Sequence, residues 1–169
     1  MTIEQAIRTG IEYELQVRKV YSEAAKKFKD PVARKIFTVL ADEEDRHVVY
    51  LESRLEEWER TGRVTAAALE TAIPSEAEIE AAMTTLNRRM AEQDFGLEIE
   101  MLKKALALEG EATAFFRRMV AQLEEEEQKL FARFVEIEAG HEAIVQAEID
   151  ALSGLGFWFD YTEFRLEGA

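Results

Sequence analysis

Both histidines of this chain lie in the same short motif, which limits the folds that the chain can adopt. Glu44 precedes His47 by three positions, and Glu138 precedes His141 by the same spacing. Residues three apart lie on one face of an α-helix, so each glutamate and its histidine can bind one ligand together. Both motifs therefore predict helices that carry polar side chains where a core would otherwise be apolar.

The motifs belong to a longer repeat. Glu14 lies 30 residues before the glutamate of the first motif, and Glu109 lies 29 residues before that of the second. Apolar positions also correspond, at an offset of 94 or 95 residues, which predicts a duplicated helical hairpin. The equivalent pairs are Glu14 and Glu109, Tyr21 and Phe116, Phe37 and Phe131, Leu40 and Phe134, Glu44 and Glu138, His47 and His141, Leu51 and Val145, and Leu55 and Ile149.

Apolar residues recur at helical spacing in four segments, which predicts helices over about 2–29, 31–61, 95–122 and 124–153. Asp30-Pro31 is a typical helix start and Gly62 a typical helix end. The long connection that follows predicts one crossover, with the third helix parallel to the second. Within it, the segment 75–78 has the form of a capping box. We therefore expect an all-α four-helix bundle over 1–153 and a short aromatic tail over 154–169.

Four glutamates and two histidines on the inward faces of these helices predict a metal centre. Buried carboxylates repel one another and lose hydration, so cations must fill the space between them. Carboxylate and imidazole suit iron or manganese, and zinc is possible. A purely structural bundle is the alternative, because a glutamate-rich chain often places Glu three residues before His. The predicted roles are bridging ligands for Glu44 and Glu138, terminal carboxylates for Glu14 and Glu109, and nitrogen ligands for His47 and His141.

Other polar residues near these stripes receive weaker predictions. Tyr21 lies seven residues after Glu14. Its hydroxyl is predicted to hydrogen-bond a ligand carboxylate, with plain core packing as the alternative. Several acidic residues fall off the apolar stripes and are predicted to be solvated: Glu12, Glu43, Asp45, Glu136 and Glu142.

Charge and composition exclude several classes of function. The net charge of −14 disfavours binding to nucleic acid or anionic membranes. The absence of cysteine excludes disulfides, iron–sulfur clusters and thiolate zinc sites. We see neither a signal-peptide pattern at the amino terminus nor an apolar run that could span a bilayer, so a cytoplasmic location is expected.

These residues together resemble the rubrerythrin-like branch of the ferritin-like superfamily. Glu14 and Tyr21 match its Glu-x6-Tyr pattern, and the segment 41–47 is similar to its acidic Glu-x-x-His segment. The resemblance implies a ferritin-like bundle with two iron ions. Three departures stand out: the chain has no cysteine-ligated rubredoxin domain, Ala112 occupies the position of an additional glutamate ligand, and Asp45 stands where haem-binding ferritins place methionine. Haem is therefore not expected.

The resemblance implies an oxidoreductase that reduces peroxide or dioxygen with electrons from an external donor. Two alternatives remain open: iron oxidation and storage, or a non-catalytic binding module that metal stabilises. A homodimer is also expected, because the tail over 157–164 is rich in aromatic residues, and exposed apolar patches usually mark contacts. Packing of this tail on its own bundle is the alternative.

Overall fold

The computed structural model describes residues 1–29, 31–75, 77–79 and 96–153, and this part of the chain contains helices but no strand. The predicted all-α fold is confirmed, and each helix boundary lies within two residues of its prediction. The long helices are α1 (Ile3–Lys27), α2 (Pro31–Thr61), α3 (Gly96–Gln122) and α4 (Glu125–Leu152). The predicted tail over 154–169 lies outside the described residues.

Local side-chain chemistry explains several helix ends. Thr2 forms a capping box with Gln5 at the start of α1. Gly62 ends α2 with a φ of 67°, in the left-handed region that glycine adopts most easily. The predicted capping box after α2 is present, since the Ser75 amide donates to Glu78 Oε2 at 2.8 Å and residues 77–79 are helical. The predicted cap at Asp30 lies outside the described residues.

Contacts between α1 and its two neighbours define the direction of the chain. Arg8 pairs with Glu59 at 2.7 Å and Arg18 with Asp45 at 2.5 Å, so α1 and α2 are antiparallel. Between these two pairs along α1, Tyr13 packs against Phe115 of α3 with ring centroids 5.3 Å apart. The Tyr21 hydroxyl, further along α1, donates to Glu109, which is earlier in α3. Helix α3 is therefore antiparallel to α1 and parallel to α2, as the predicted crossover requires.

Two apolar clusters fill the bundle, one toward each end. One cluster surrounds Tyr21, Phe37 and Leu40, and the other surrounds Phe116 and Phe131. Between them lies a layer of buried polar residues, where all four helices contribute a side chain. Apolar packing above and below therefore holds this layer away from solvent.

The segment 63–75, which we call the strap, crosses the outer side of α2 and α4. The Tyr50 hydroxyl of α2 donates to the Ala67 carbonyl at 2.8 Å. Arg133 of α4 donates to the Leu69 carbonyl at 3.0 Å. These bonds hold the strap against two helices beside the cluster around Phe116 and Phe131, to which Leu69 belongs. Among the described helices, none is long and apolar enough to cross a membrane.

Candidate metal centre

The six predicted ligands lie together in the middle of the bundle. Helix α1 supplies one of them, α2 two, α3 one and α4 two. Each has an exposed fraction of 1% or less. Helical periodicity places them on inward faces, so their side chains converge where the four helices meet. They are Glu14, Glu44, His47, Glu109, Glu138 and His141.

The Nδ1 atom of His47 faces three carboxylates. It lies 2.9 Å from Glu14 Oε2, in hydrogen-bond geometry. It also lies 3.2 Å from Glu44 Oε2 and 3.4 Å from Glu138 Oε1. One imidazole therefore contacts glutamates from three different helices.

The Nδ1 atom of His141 has the corresponding position in the second half. It lies 2.9 Å from Glu44 Oε1, 3.2 Å from Glu138 Oε2 and 3.6 Å from Glu109 Oε1. The two imidazole rings are nearly parallel, at 9°, with centroids 5.5 Å apart. The duplication that the sequence predicts therefore appears as two matched halves of one cluster.

Donor atoms of the six residues form two overlapping groups of four. In each group, one donor atom from every residue lies within 4.8 Å of the others, a spacing that could hold a metal ion. Glu44 and Glu138 belong to both groups. A carboxylate has two oxygen atoms, so each of these residues can contact two neighbouring cations. The first group adds Glu14 and His47, and the second adds Glu109 and His141.

The hydrogen bonding of these carboxylates is incomplete. Whether their oxygen atoms lack partners tests directly whether a cation fits between them. Within the described part of the chain, Glu14 Oε1, both oxygens of Glu44, Glu109 Oε2 and Glu138 Oε1 are buried without a hydrogen-bond partner. Buried polar atoms are nearly always hydrogen-bonded in stable proteins. Oxygen atoms left in this state fit a site in which metal ions supply the missing contacts.

Burial and mutual repulsion also shift the acidity of the cluster. Burial raises the pKa of Glu138 well above the ordinary carboxyl value, and the charge of Glu14 raises it further. The pKa of Glu14 is likewise raised well above its usual range, by burial and then by Glu44. Burial lowers the pKa of His141, but the carboxylates of Glu138 and Glu44 outweigh it and raise that pKa well above the ordinary value. Without cations, the cluster therefore retains protons that metal ions would displace.

The pKa of Glu109 shifts in the opposite direction. Burial favours its neutral form, but hydrogen bonding and charge contact with His141 outweigh burial and lower the pKa. The Tyr21 hydroxyl donates to Glu109 Oε1 in the buried interior, as the sequence predicted for a ligand carboxylate. Burial and then the charge of Glu109 raise the pKa of this phenol, so it stays a donor.

Of the residues that were predicted to be solvated, Glu43 is buried and Glu142 is only partly exposed. Glu43 is fully buried, with an exposed fraction of 0%, because the strap covers its face of α2. Glu142 is half-buried and accepts a hydrogen bond from Thr113 at 2.5 Å. Neither position lies on the apolar stripe, so helical periodicity gives no signal of its burial. The predictions for Glu12, Asp45 and Glu136 are confirmed, since all three are exposed.

Four helices share one buried cluster of carboxylates and histidines. This arrangement defines a class of protein, the helical bundles that can hold a pair of metal ions. The chain belongs to the rubrerythrin family, whose model matches residues 5–149. The match covers all six cluster residues and confirms the resemblance inferred from their spacing. The cluster fits a di-iron site of this family. Searches of curated proteins and of solved structures found no match.

Proposed function

We propose that the six cluster residues hold two metal ions, with Glu44 and Glu138 as the shared ligands. The observation that carries this proposal is that both residues belong to both groups of converging donor atoms. In this assignment Glu14 and Glu109 are terminal carboxylates, and His47 and His141 each provide one nitrogen. Four carboxylates balance the charge of two divalent cations, which removes the repulsion within the cluster.

We propose iron as the metal. The mixed oxygen and nitrogen donor set suits iron or manganese better than softer ions, and the family implies iron. When bound, two ferrous ions would supply the two electrons that, with two protons, convert one hydrogen peroxide into two water molecules. The chain contains no cysteine and so no cysteine-ligated redox centre, and we propose that an external donor returns those electrons.

The surrounding residues hold and shield the cluster. The Tyr21 hydroxyl keeps its proton on the hydrogen bond to Glu109 and orients that carboxylate. Phe134 packs edge-on against His47, with centroids 5.2 Å apart, and closes one side of the cluster with an apolar wall. Limited access of water strengthens the electrostatic contacts of the carboxylates with bound cations.

One observation favours a second function, the oxidation of iron for transfer or storage. Ala112, where the resemblance would place an additional glutamate, is fully buried among apolar residues and offers no donor atom. A site with six ligands cannot exchange one carboxylate for another at this position during a peroxide cycle. Iron oxidation needs no such exchange, and it would use the same cluster.

Anaerobic loading with ferrous iron separates these functions. For the peroxide reductase we expect two irons per chain, complete oxidation by one hydrogen peroxide per two irons, and repeated turnover when a reductant is added. Iron oxidation with storage predicts uptake well beyond two irons per chain. The binding-module alternative predicts metal uptake with no absorbance change on adding an oxidant.

Two substitutions on α4 make a matched comparison. Glu138→Gln removes a shared cluster carboxylate, whereas Glu136→Gln removes an exposed one that pairs with Arg133 at 3.0 Å. We expect only the first variant to lose the second iron and the stoichiometric oxidation. Equal iron binding by both variants would exclude the assigned ligand set. The homodimer remains a prediction, which sedimentation of the chain with and without residues 155–169 would test.

A further inference from the structure

Glu43 is a buried acid outside the six-residue cluster. Its Oε1 atom accepts a hydrogen bond from the Ala72 amide at 3.1 Å and another from the Arg46 guanidinium. The second oxygen, Oε2, is buried and has no hydrogen-bond partner among residues that the structure describes. One buried oxygen of Glu43 therefore remains available as an acceptor.

Ring nitrogens of both histidines lie near the Glu43 carboxylate. One carboxylate oxygen of Glu43 and one ring nitrogen each of His47 and His141 lie within 4.8 Å of one another. The Nδ1 atoms of both rings are already directed at the carboxylate cluster. Both Nε2 atoms are buried and lack a hydrogen-bond partner within the described ranges. This group therefore joins three residues that each have a buried atom without a hydrogen-bond partner: Oε2 of Glu43 and Nε2 of His47 and of His141.

We propose that Glu43 is a positioning residue that both histidines share. Its free oxygen accepts the Nε2 protons of His47 and His141, directly or through one water. A neutral imidazole carries one ring proton, so a proton held at Nε2 leaves the Nδ1 lone pair free for a metal ion. One carboxylate then fixes the tautomer and the ring orientation of both nitrogen ligands. This inference rests on the metal site proposed above.

The same residue connects the histidines to the strap. Because the Ala72 amide of the strap donates to the Glu43 carboxylate, the position of this segment determines where the acceptor oxygen lies. A short non-helical segment between α2 and α3 therefore contributes to the geometry of ligands on α2 and α4. The Arg46 guanidinium pairs with Glu43 and partly balances the negative charge of this buried carboxylate.

Nitrogen-15 NMR of the imidazole rings tests this inference directly, because the chain contains only two histidines. The probe is Zn(II), which is diamagnetic and accepts the same donors. In the zinc-loaded wild-type chain we expect both rings to bind through Nδ1, with Nε2 protons that are shifted downfield and exchange slowly with water. Glu43→Gln should move both Nε2 proton signals upfield and accelerate their exchange.

Asp42→Asn is the matched control, since it removes the same charge from an exposed neighbouring residue of α2. We expect Glu43→Gln to weaken Zn(II) binding by about 10- to 100-fold in competition with a chelator. The control should stay within about 2-fold of wild type. Circular dichroism establishes that both variants are folded.

Several results would overturn the role of Glu43. Fast-exchanging, upfield Nε2 protons in the wild-type chain would do so without any variant, even if Glu43→Gln does not fold. Unchanged imidazole signals and zinc affinity in Glu43→Gln would also contradict it, as would a third zinc ion bound by Glu43 itself. If the wild-type chain binds no zinc at Nδ1, the proposed metal site is wrong. The contact between Glu43 and the histidines would still be supported if the Nε2 signals of the metal-free chain respond to Glu43→Gln.

Discussion

Replacing Glu138 by glutamine should have opposite effects on the metal-free and the metal-loaded protein. This side chain is 1% exposed, and its pKa is raised well above the ordinary value by burial and then by the charge of Glu14. In the absence of cations the folded chain must either protonate this carboxyl or bury its charge. Glutamine has nearly the same shape and avoids both requirements.

The expected gain follows from two opposing quantities. Protonating a carboxyl of ordinary acidity at pH 7 costs about 4 kcal/mol, since each pH unit above about 4.3 contributes about 1.4 kcal/mol. This is an upper limit on what the substitution can recover. A buried amide group whose donors are incompletely bonded costs about 1–3 kcal/mol. We therefore expect metal-free Glu138→Gln to be more stable than wild type by about 1–3 kcal/mol.

The metal-loaded protein should show the reverse order. A cation at 100 times its dissociation constant stabilises the folded chain by about 2.7 kcal/mol per site. The variant loses one shared ligand and with it most of this stabilisation. Urea unfolding at pH 7, with chelator and with Zn(II), measures both differences, and Glu136→Gln should stay within about 0.5 kcal/mol of wild type in each condition.

Two results would refute this reasoning. If the metal-free variant is less stable than wild type, the carboxylates are not a source of repulsion in the empty cluster. If the zinc-loaded variant gains as much stability as wild type, Glu138 is not a shared ligand. A gain in the metal-free state together with a loss in the loaded state is expected only of a residue retained for metal binding.

Three further predictions concern pH, the strap and Tyr21. The pKa values of Glu14 and His141 are raised, so the folded metal-free chain binds more protons than the unfolded chain. Its free energy of unfolding should therefore fall as pH rises from about 5 to 8. Urea titrations at several pH values measure this trend, and a free energy of unfolding that rises with pH would contradict it. Gly140→Ala places a methyl group 2.8 Å from the Pro74 carbonyl oxygen of the strap and should destabilise the folded chain by about 1–3 kcal/mol. Gly110→Ala meets nothing within 4 Å and should stabilise the folded chain by about 0.5–1 kcal/mol. Denaturation midpoints that move in the same direction in both variants would be inconsistent with the close approach of the strap. Tyr21→Phe removes the donor to a buried carboxylate, so we expect zinc affinity to fall by about 10-fold and stability by about 1–3 kcal/mol; unchanged zinc affinity would indicate plain core packing.

Most of the fold was predictable because helical periodicity is a local property. Val17, Tyr21 and Phe28 recur at helical spacing along α1, and all three are buried. Glu14 and Glu109 share the phase of their apolar neighbours, so their burial followed from the same pattern. The length of the connection before α3 also sufficed to predict its direction, since a tight turn would have made it antiparallel to α2.

The prediction for Glu43 was wrong for a reason that periodicity cannot contain. The stripe of a helix shows which face meets the other helices, and Glu43 lies beside that face. A segment without regular structure, the strap, covers it through a bond from Ala72 that links positions 29 residues apart. Glu142 is similar, because Thr113 of another helix partly covers it. Contacts of this kind depend on where distant segments pass over a helix.

The sequence by itself determined the four helices, the duplication and the six polar residues within their apolar stripes, because each of these depends on spacing along a single helix. Only the tertiary structure decided how those residues meet. It showed that Glu44 and Glu138 belong to both donor groups, that Nδ1 of each histidine faces the carboxylates, and that Glu43 is enclosed by the strap. These features depend on the relative placement of different helices and on side-chain rotation, which spacing along one chain does not encode.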